Sequence, residues 1–283
     1  MRNHVLNAVV LCFLAAVSYL SWSNSQQLDL VVKQNNALYS LVKSGPPRTS
    51  SVSEASSISP SKSGSDIGSL VEIALNKRLE EDAADKRSSL FRDFQNANEK
   101  VKGNIRIYGN PDARFTMIVY SDYECPYCRK FDPFTKRIVD ESNGQLNLVI
   151  RHFPLGFHNP SATEQSAAAE CAGEIGGNRV FWVMNDLLFK NTRSNNNGLM
   201  RPISELVTDL GLPMGEFANC MKSSAPLETI AIHKQEGVSA GVEQTPSTIL
   251  RDNVSKQMMF VPGAQEAVIK DTVTALVNAA ARS

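Results

Sequence analysis

Two cysteines stand two residues apart where an apolar run meets a helix-forming stretch. The segment reads Ser121-Asp122-Tyr123-Glu124-Cys125-Pro126-Tyr127-Cys128. Phe115 to Tyr120 before it is strand-like, and Pro126 opens the stretch after it. Proline is favoured at the first helical position, because its missing N–H would be unpaired there anyway. This sets Cys125 at the N-cap, where free backbone N–H groups and the helix dipole favour an anion. A thiolate is stabilised at such a position, and the thiolate is the nucleophile of disulfide exchange. Cys128 follows within the first turn, close enough to attack a mixed disulfide on Cys125. Cys125 is therefore expected to be the exposed nucleophile, with a lowered pKa, and Cys128 the shielded resolving thiol. A zinc site needs a second ligand pair at short spacing. Cys171 and Cys220 lie far apart and separately embedded, so no metal is expected.

Around this pair the pattern is mixed. Ile105 to Tyr108 and Phe115 to Tyr120 read as strands. A helix runs from Pro126 to about Asp140, and Asn143-Gly144 stops it. Leu146, Leu148 and Ile150 alternate with other residues as a third strand. A helical insertion of about 80 residues follows. Ser161-x-x-Glu164 opens its first helix, which Gly176-Gly177 ends. Val180 to Phe189, Pro202 to Leu210, Pro213 to Lys222 and Pro226 to about Val238 give four more. Ser247 to Arg251 and Lys256 to Val261 read as a hairpin through Asp252-Asn253, and Gly263 to Ala281 as a last amphipathic helix.

These residues resemble the DsbA-like branch of the thioredoxin superfamily, thiol–disulfide oxidoreductases of the bacterial envelope, over roughly residues 103 to 282. The resemblance rests on the Cys-Pro-Tyr-Cys pair, the Gly109 to Ala113 turn, and Pro133 inside the active-site helix. It rests also on Arg151-His152-Phe153-Pro154-Leu155, then His158-Asn159-Pro160 and an alanine-rich helix. It implies an α/β thioredoxin fold with a helical insertion at about residues 160–240. It implies that Cys125 attacks or is attacked, that Cys128 resolves, and that Pro126 and Tyr127 tune the couple. Thr245-Pro246 falls where the family has its cis-proline and shapes the substrate groove. No cofactor is implied. The implied partners are cysteine-containing exported proteins and a membrane redox partner that recycles the pair. Threonine before the cis-proline and a long N-terminal arm are DsbC-like features and lean towards isomerase; the helical insertion leans towards oxidase. Val119 stands six residues before Cys125, where the family usually carries a buried acid, so no carboxylate shuttle is expected there. Asp122 and Glu124 are expected to be solvated loop charges, and His152 and His158 loop-packing residues. Cys171 and Cys220 sit on separate helices of the insertion. A structural disulfide is the expectation and two buried free thiols the alternative.

The chain before residue 103 is of another kind. Residues 1–23 read as a signal peptide or membrane anchor, with Arg2 at the positive end and an apolar stretch over 5–22. Leu28, Val31, Asn35, Leu38 and Val42 in residues 24–44 fit a short coiled coil or an ordinary amphipathic stretch alike. Residues 45–68 are rich in Ser, Pro and Gly and read as a linker. Residues 69–102 read as a helical stalk over about Leu70 to Asn98, with a capping box at Ser69-x-x-Glu72. This arm is expected to make a homo-oligomer, or else to pack on its own domain. The expected location is the periplasm, anchored by residues 5–22 or released after cleavage. Lys and Arg number 29, as do Asp and Glu, and no basic block interrupts the chain, which argues against a nucleic-acid partner. A different class stays open: an anchored, non-enzymatic assembly module using a thioredoxin-like domain to bind.

Overall fold

The strand that leads into the cysteines, β2 (Phe115–Ser121), lies in the middle of a five-stranded sheet of order β1-β3-β2-β4-β5. The computed structural model describes residues 63–97 and 105–280. Expectations for the membrane segment, the heptads and most of the linker lie outside these residues.

β3 (Leu146–His152) runs parallel to β2, while β1 (Ile107–Gly109), β4 (Ser247–Asp252) and β5 (Met258–Pro262) pair antiparallel to their neighbours. Parallel neighbours need a crossover, here α2 (Pro126–Asp140). α2 turns Phe131, Phe134 and Ile138 to the core and carries Pro133 in its interior. Helices on the sheet leave β2 and β3 little solvent, so their sequences are nearly continuous apolar runs.

The insertion follows β3. It comprises a 3₁₀ turn (Gly156–His158), α3 (Ser161–Gly176), α4 (Asn178–Asn191), α5 (Ile203–Leu210), α6 (Met214–Lys222) and α7 (Ala225–Ser239). Phe181, Trp182, Met184 and Leu188 of α4 are wholly buried in the main core. The alanines of α3 let α4 approach closely, and Cys171 of α3 is joined to Cys220 of α6 by a disulfide of 2.05 Å, with Cα atoms 5.7 Å apart. α8 (Glu266–Ala280) ends the described chain.

α1 (Ser63–Arg92) departs from expectation. It starts before Leu70, so Ser69 and Glu72 are interior residues and no capping box forms. It stops at Arg92, and Ala97 bridges to Gly109. Its two ends differ. Leu90, Phe91 and the following Phe94 pack on the domain core, and Lys86 pairs with Asp209 of α5. Leu70, Val71, Ile73, Leu75 and Leu79 are all more than half exposed. The stalk is thus half docked on its own domain and half unpartnered among the described residues. At α3, too, the expected Ser cap fails. Pro160 is the N-cap, and Asn159 Oδ1 instead accepts from Thr163 N and Oγ1 at 3.2 and 2.6 Å. No helix among the described residues is long and apolar enough to cross a membrane.

Candidate active site

Three loops meet at one edge of the sheet. Ser121 pairs with His152 at the ends of parallel strands, so the chain leaves β2 and β3 at the same edge. β4 runs the other way, with Ser247 paired to Tyr120, and so the Thr245–Pro246 loop arrives there too. Because β2 lies between β3 and β4, the cysteine loop sits between the other two.

Cys125 is the N-cap of α2, extended at φ −82° and ψ 119°, with Pro126 the first helical residue. Both cysteines are free thiols. Cys125 Sγ donates to the Thr245 carbonyl at 3.4 Å, and the Thr245–Pro246 peptide is cis. Cys125 is only 3% exposed, against 1% for Cys128, which corrects the expectation of an exposed nucleophile. The Thr245 loop lies against its sulfur. Tyr127, by contrast, is largely exposed.

The two thiols are held apart chemically. Donation from the Cys128 thiol is the main influence that draws the Cys125 pKa down to about 6, against burial, which raises it. The backbone N–H groups of Cys128 and Tyr127 and the Thr245 side chain add to the lowering. Thr245 Oγ1 is buried and makes no hydrogen bond while Cys125 is a thiol, which leaves it ready to donate to a thiolate. For Cys128, burial and the neighbouring Cys125 push the pKa well up. One sulfur is thus ionised near neutrality and the other keeps its proton, as a nucleophile and a resolving thiol require.

Asp122 and Glu124 are 1% and 0% exposed, not solvated. Each clamps a loop. Asp122 Oδ2 accepts from Leu155 N and meets His158 Nδ1, both at 2.8 Å, and Asp122 Oδ1 accepts from Glu124 N at 2.8 Å. Glu124 Oε1 accepts from Gln165 Nε2 and from Thr192 Oγ1, and Oε2 from Asn197 N at 3.1 Å. Between them Tyr123 turns inward, and its hydroxyl donates to Asn185, which donates to Asp132, the partner of Lys136. Apart from Glu124 N, the partners of these two carboxylates come from Leu155 and the insertion, 33 to 73 residues away in sequence, so nothing near the cysteines announces them. Removing the Glu124 carboxylate leaves two buried donors, on Gln165 and Thr192, and one part-buried donor, Asn197 N, unpaired. Glu124→Ala is expected to lower stability by about 3 kcal/mol or more, read as a fall in the urea midpoint. An unchanged midpoint would show that the clamp is slack.

His152 and His158 are likewise more than loop packing. His158 holds Asp122. His152 is buried at the end of β3, and its Nε2 meets Glu170 at 2.9 Å. Burial raises the Glu170 pKa, but His152 and Arg106 bring it below the usual carboxylate range. Burial and the nearby charges of His152 and Arg151 draw His233 down to about 3, so it is neutral. His152, Glu170 and His233 bring ligand atoms within 4.8 Å of one another. Arg106 on Glu170 and Arg151 Nη1 at 3.1 Å from His233 Nε2 oppose a cation there. The cluster is a charged network, not a metal centre. Val119 is buried in β2, paired to Thr248, and brings no acid.

Residues 100–268 match the family Thioredoxin_4, described as thioredoxin. Among solved structures, Pseudomonas aeruginosa DsbA2 is 31% identical, with 58% of this chain and 90% of that one covered and a TM-score of 0.51. A thioredoxin-like oxidoreductase of Silicibacter pomeroyi DSS-3 shares the fold at 24% identity and TM-score 0.50, over 70% of this chain and 98% of its own. A curated relative, the Na(+)/H(+) antiporter NhaA of Herminiimonas arsenicoxydans, is 28% identical over 179 residues, which cover 62% of this chain and 25% of the antiporter. NhaA 1 of Salinispora arenicola is 34% identical over 96 residues, 34% of this chain and 13% of that protein. This chain spans a quarter or less of those antiporters, so their transport activity is no guide to it. A matched family over more than half of the chain, a fold shared with DsbA-like oxidoreductases and a cysteine pair at the head of α2 agree: the chain belongs to the thioredoxin family, as a DsbA-like protein of thiol–disulfide oxidoreductase fold.

Proposed function

We propose that this chain introduces disulfides into exported proteins in the bacterial envelope, with Cys125 and Cys128 as the redox pair. The observation that carries this reading is the split between the thiols, Cys125 drawn down to about 6 and Cys128 pushed up. A couple whose reduced form is stabilised is a strong oxidant. In the oxidised protein, a client thiolate attacks Cys125 Sγ. The Cys125–Cys128 bond breaks, and Cys128 leaves as a thiolate and takes a proton. A second client thiolate then attacks the client sulfur of the mixed disulfide. Cys125 leaves as the stable thiolate, and the client carries the new disulfide. Pro126, Tyr127 and the Thr245–Pro246 loop tune the pair and seat the client. A membrane partner withdraws the two electrons. The state of Cys125 in the cell tests this: acid-trapped, alkylated protein should be mostly oxidised. Mostly reduced protein would overturn the oxidase reading in favour of isomerase.

Isomerase is the second reading, favoured by the unpartnered half of α1. Leu70, Val71, Ile73, Leu75 and Leu79 are 56 to 64% exposed, a concentration of apolar surface at one end of a helix that a partner would cover. Several catalytic domains joined through the arm would raise the effective concentration of a second site at a scrambled client. Deleting residues to Gly103 is a poor test, because it strips Phe94 and Ala97 from the core. Leu75→Glu with Leu79→Glu leaves the core intact. In the soluble protein lacking residues 1–23, this pair is expected to turn an oligomer into a monomer by light scattering and to depress refolding of scrambled ribonuclease. Equal mass and equal refolding would leave the arm a tether only. A non-enzymatic binding module, the remaining alternative, requires that the protein's role in the cell tolerate Cys125→Ser.

A further inference from the structure

A cavity of about 400 Å³ opens among α3, α6 and α7, away from the three loops that surround Cys125. Arg106, Glu170, Glu174, Cys220, Ser223 and Pro226 are among its lining residues. Arg106 is only 7% exposed. Its guanidinium is fixed from several sides. Nε donates to Glu170 Oε2 at 3.3 Å, and Cζ stands 5.5 Å from the centre of the Phe181 ring. It also lies against Gly173 of α3, where a Cβ would fall 2.7 Å from Cζ. Gly173 therefore makes room for the group.

A guanidinium carries five N–H donors, and among the described residues this one makes a single hydrogen bond, through Nε. The two terminal nitrogens of a buried arginine are left to the cavity. Glu170 does not complete them, because its other oxygen is held by His152 Nε2 at 2.9 Å. A fixed planar fork of this kind matches a carboxylate through two parallel hydrogen bonds. The walls supply the rest of a ligand site. Pro226, Ala225 and the Cys171–Cys220 disulfide give apolar surface, and the disulfide ties α6 to α3 and so holds the cavity open. The volume lies in the usual range for small-molecule sites, roughly 300–1,000 Å³. Glu174 is exposed and disfavours a second negative charge at the outer end.

We propose that this cavity binds a small organic monocarboxylate with an apolar body, its carboxylate on the Arg106 fork. The site is separate from the redox pair. It touches the same buried network, since Arg106 and Glu170 lead to His152, and His152 pairs with Ser121 at the root of the cysteine loop.

Hexanoate is a suitable probe and hexanol its uncharged counterpart, titrated into the soluble protein lacking residues 1–23 and followed by NMR and calorimetry. Hexanoate is expected to bind saturably at one site, and hexanol at least about tenfold more weakly, a difference of about 1.4 kcal/mol. Arg106→Lys keeps the charge but loses the fork, and should weaken hexanoate by a similar factor. Should that variant fail to fold, Thr229→Trp decides. Thr229 lines the cavity and is half-buried on α7, so the larger ring fills the space without touching the ion pair. Loss of hexanoate binding in folded Thr229→Trp protein supports the site. No saturable binding, equal binding of hexanol, or hexanoate binding undisturbed by Thr229→Trp would overturn it.

Discussion

Cys125→Ser is expected to abolish disulfide exchange, bringing insulin reduction by a dithiol down to the uncatalysed rate. Cys128→Ala should behave differently: it still forms a mixed disulfide through Cys125 but cannot resolve it, so trapped client accumulates. The same two variants report on the pKa. At pH 7 a thiol with a pKa of about 6 is about 90% thiolate, against about 3% for a free cysteine near 8.5. Iodoacetamide labelling of Cys125 should follow that difference, with its midpoint near pH 6. Removing the Cys128 donor should move the midpoint upward, because that hydrogen bond is the main lowering influence. The sign for stability follows. The folded-state pKa is depressed, so the stabilisation of the reduced protein is fully present above the unfolded pKa of about 8.5 and is lost as pH falls through about 6. The oxidised protein has no such thiolate and should lack this dependence. If Cys128 titrates below Cys125, or Cys125→Ser retains exchange, the assignment of roles to the two thiols fails.

The second large effect is on stability. The Cys171–Cys220 disulfide closes a loop across 49 positions, from α3 to α6. Constraining the unfolded chain over such a loop contributes about 4 kcal/mol in the chain-entropy account, a model-dependent figure. Cys171→Ala with Cys220→Ala should lower the urea midpoint accordingly. The Cys125 thiolate stabilises the reduced form of its own couple, so Cys171–Cys220 is expected to resist dithiothreitol at concentrations that reduce Cys125–Cys128. Mass mapping of the alkylated, non-reduced protein checks the bond directly. Two labelled thiols at these positions, or an unchanged midpoint in the double variant, would remove it from the account of stability.

Much of this was written locally. Pro126 after Cys125 announces the start of α2, and the apolar runs at Phe115 and Leu146 announce the two parallel strands. The helices of the insertion could be bounded to within a few residues, since Pro202, Pro213 and Pro226 punctuate them. What could not be read was tertiary. Asp122 and Glu124 look like ordinary loop charges until Leu155, His158, Gln165, Thr192 and Asn197 arrive to satisfy them. The burial of Cys125 depends on Thr245, 120 residues later. α1 begins at Ser63, ahead of the expected start; Ser63 to Gly68 have a linker's composition, and helix propensity is a weak prior that tertiary context overrides. Its docking depends on Asp209 and the main core, again distant in sequence.

The position of β4 sets an order of assembly. β2, α2 and β3 are neighbours in the chain and can form early. β4 must cross the whole insertion before Leu250 finds Met117, and pairing over such a separation is entropically costly and slow. The Thr245 carbonyl therefore reaches Cys125 only once β4 has docked. Until then the chain presents its most reactive thiol uncovered. Catalytic competence and protection from stray oxidants thus arrive together, with the docking of a single strand.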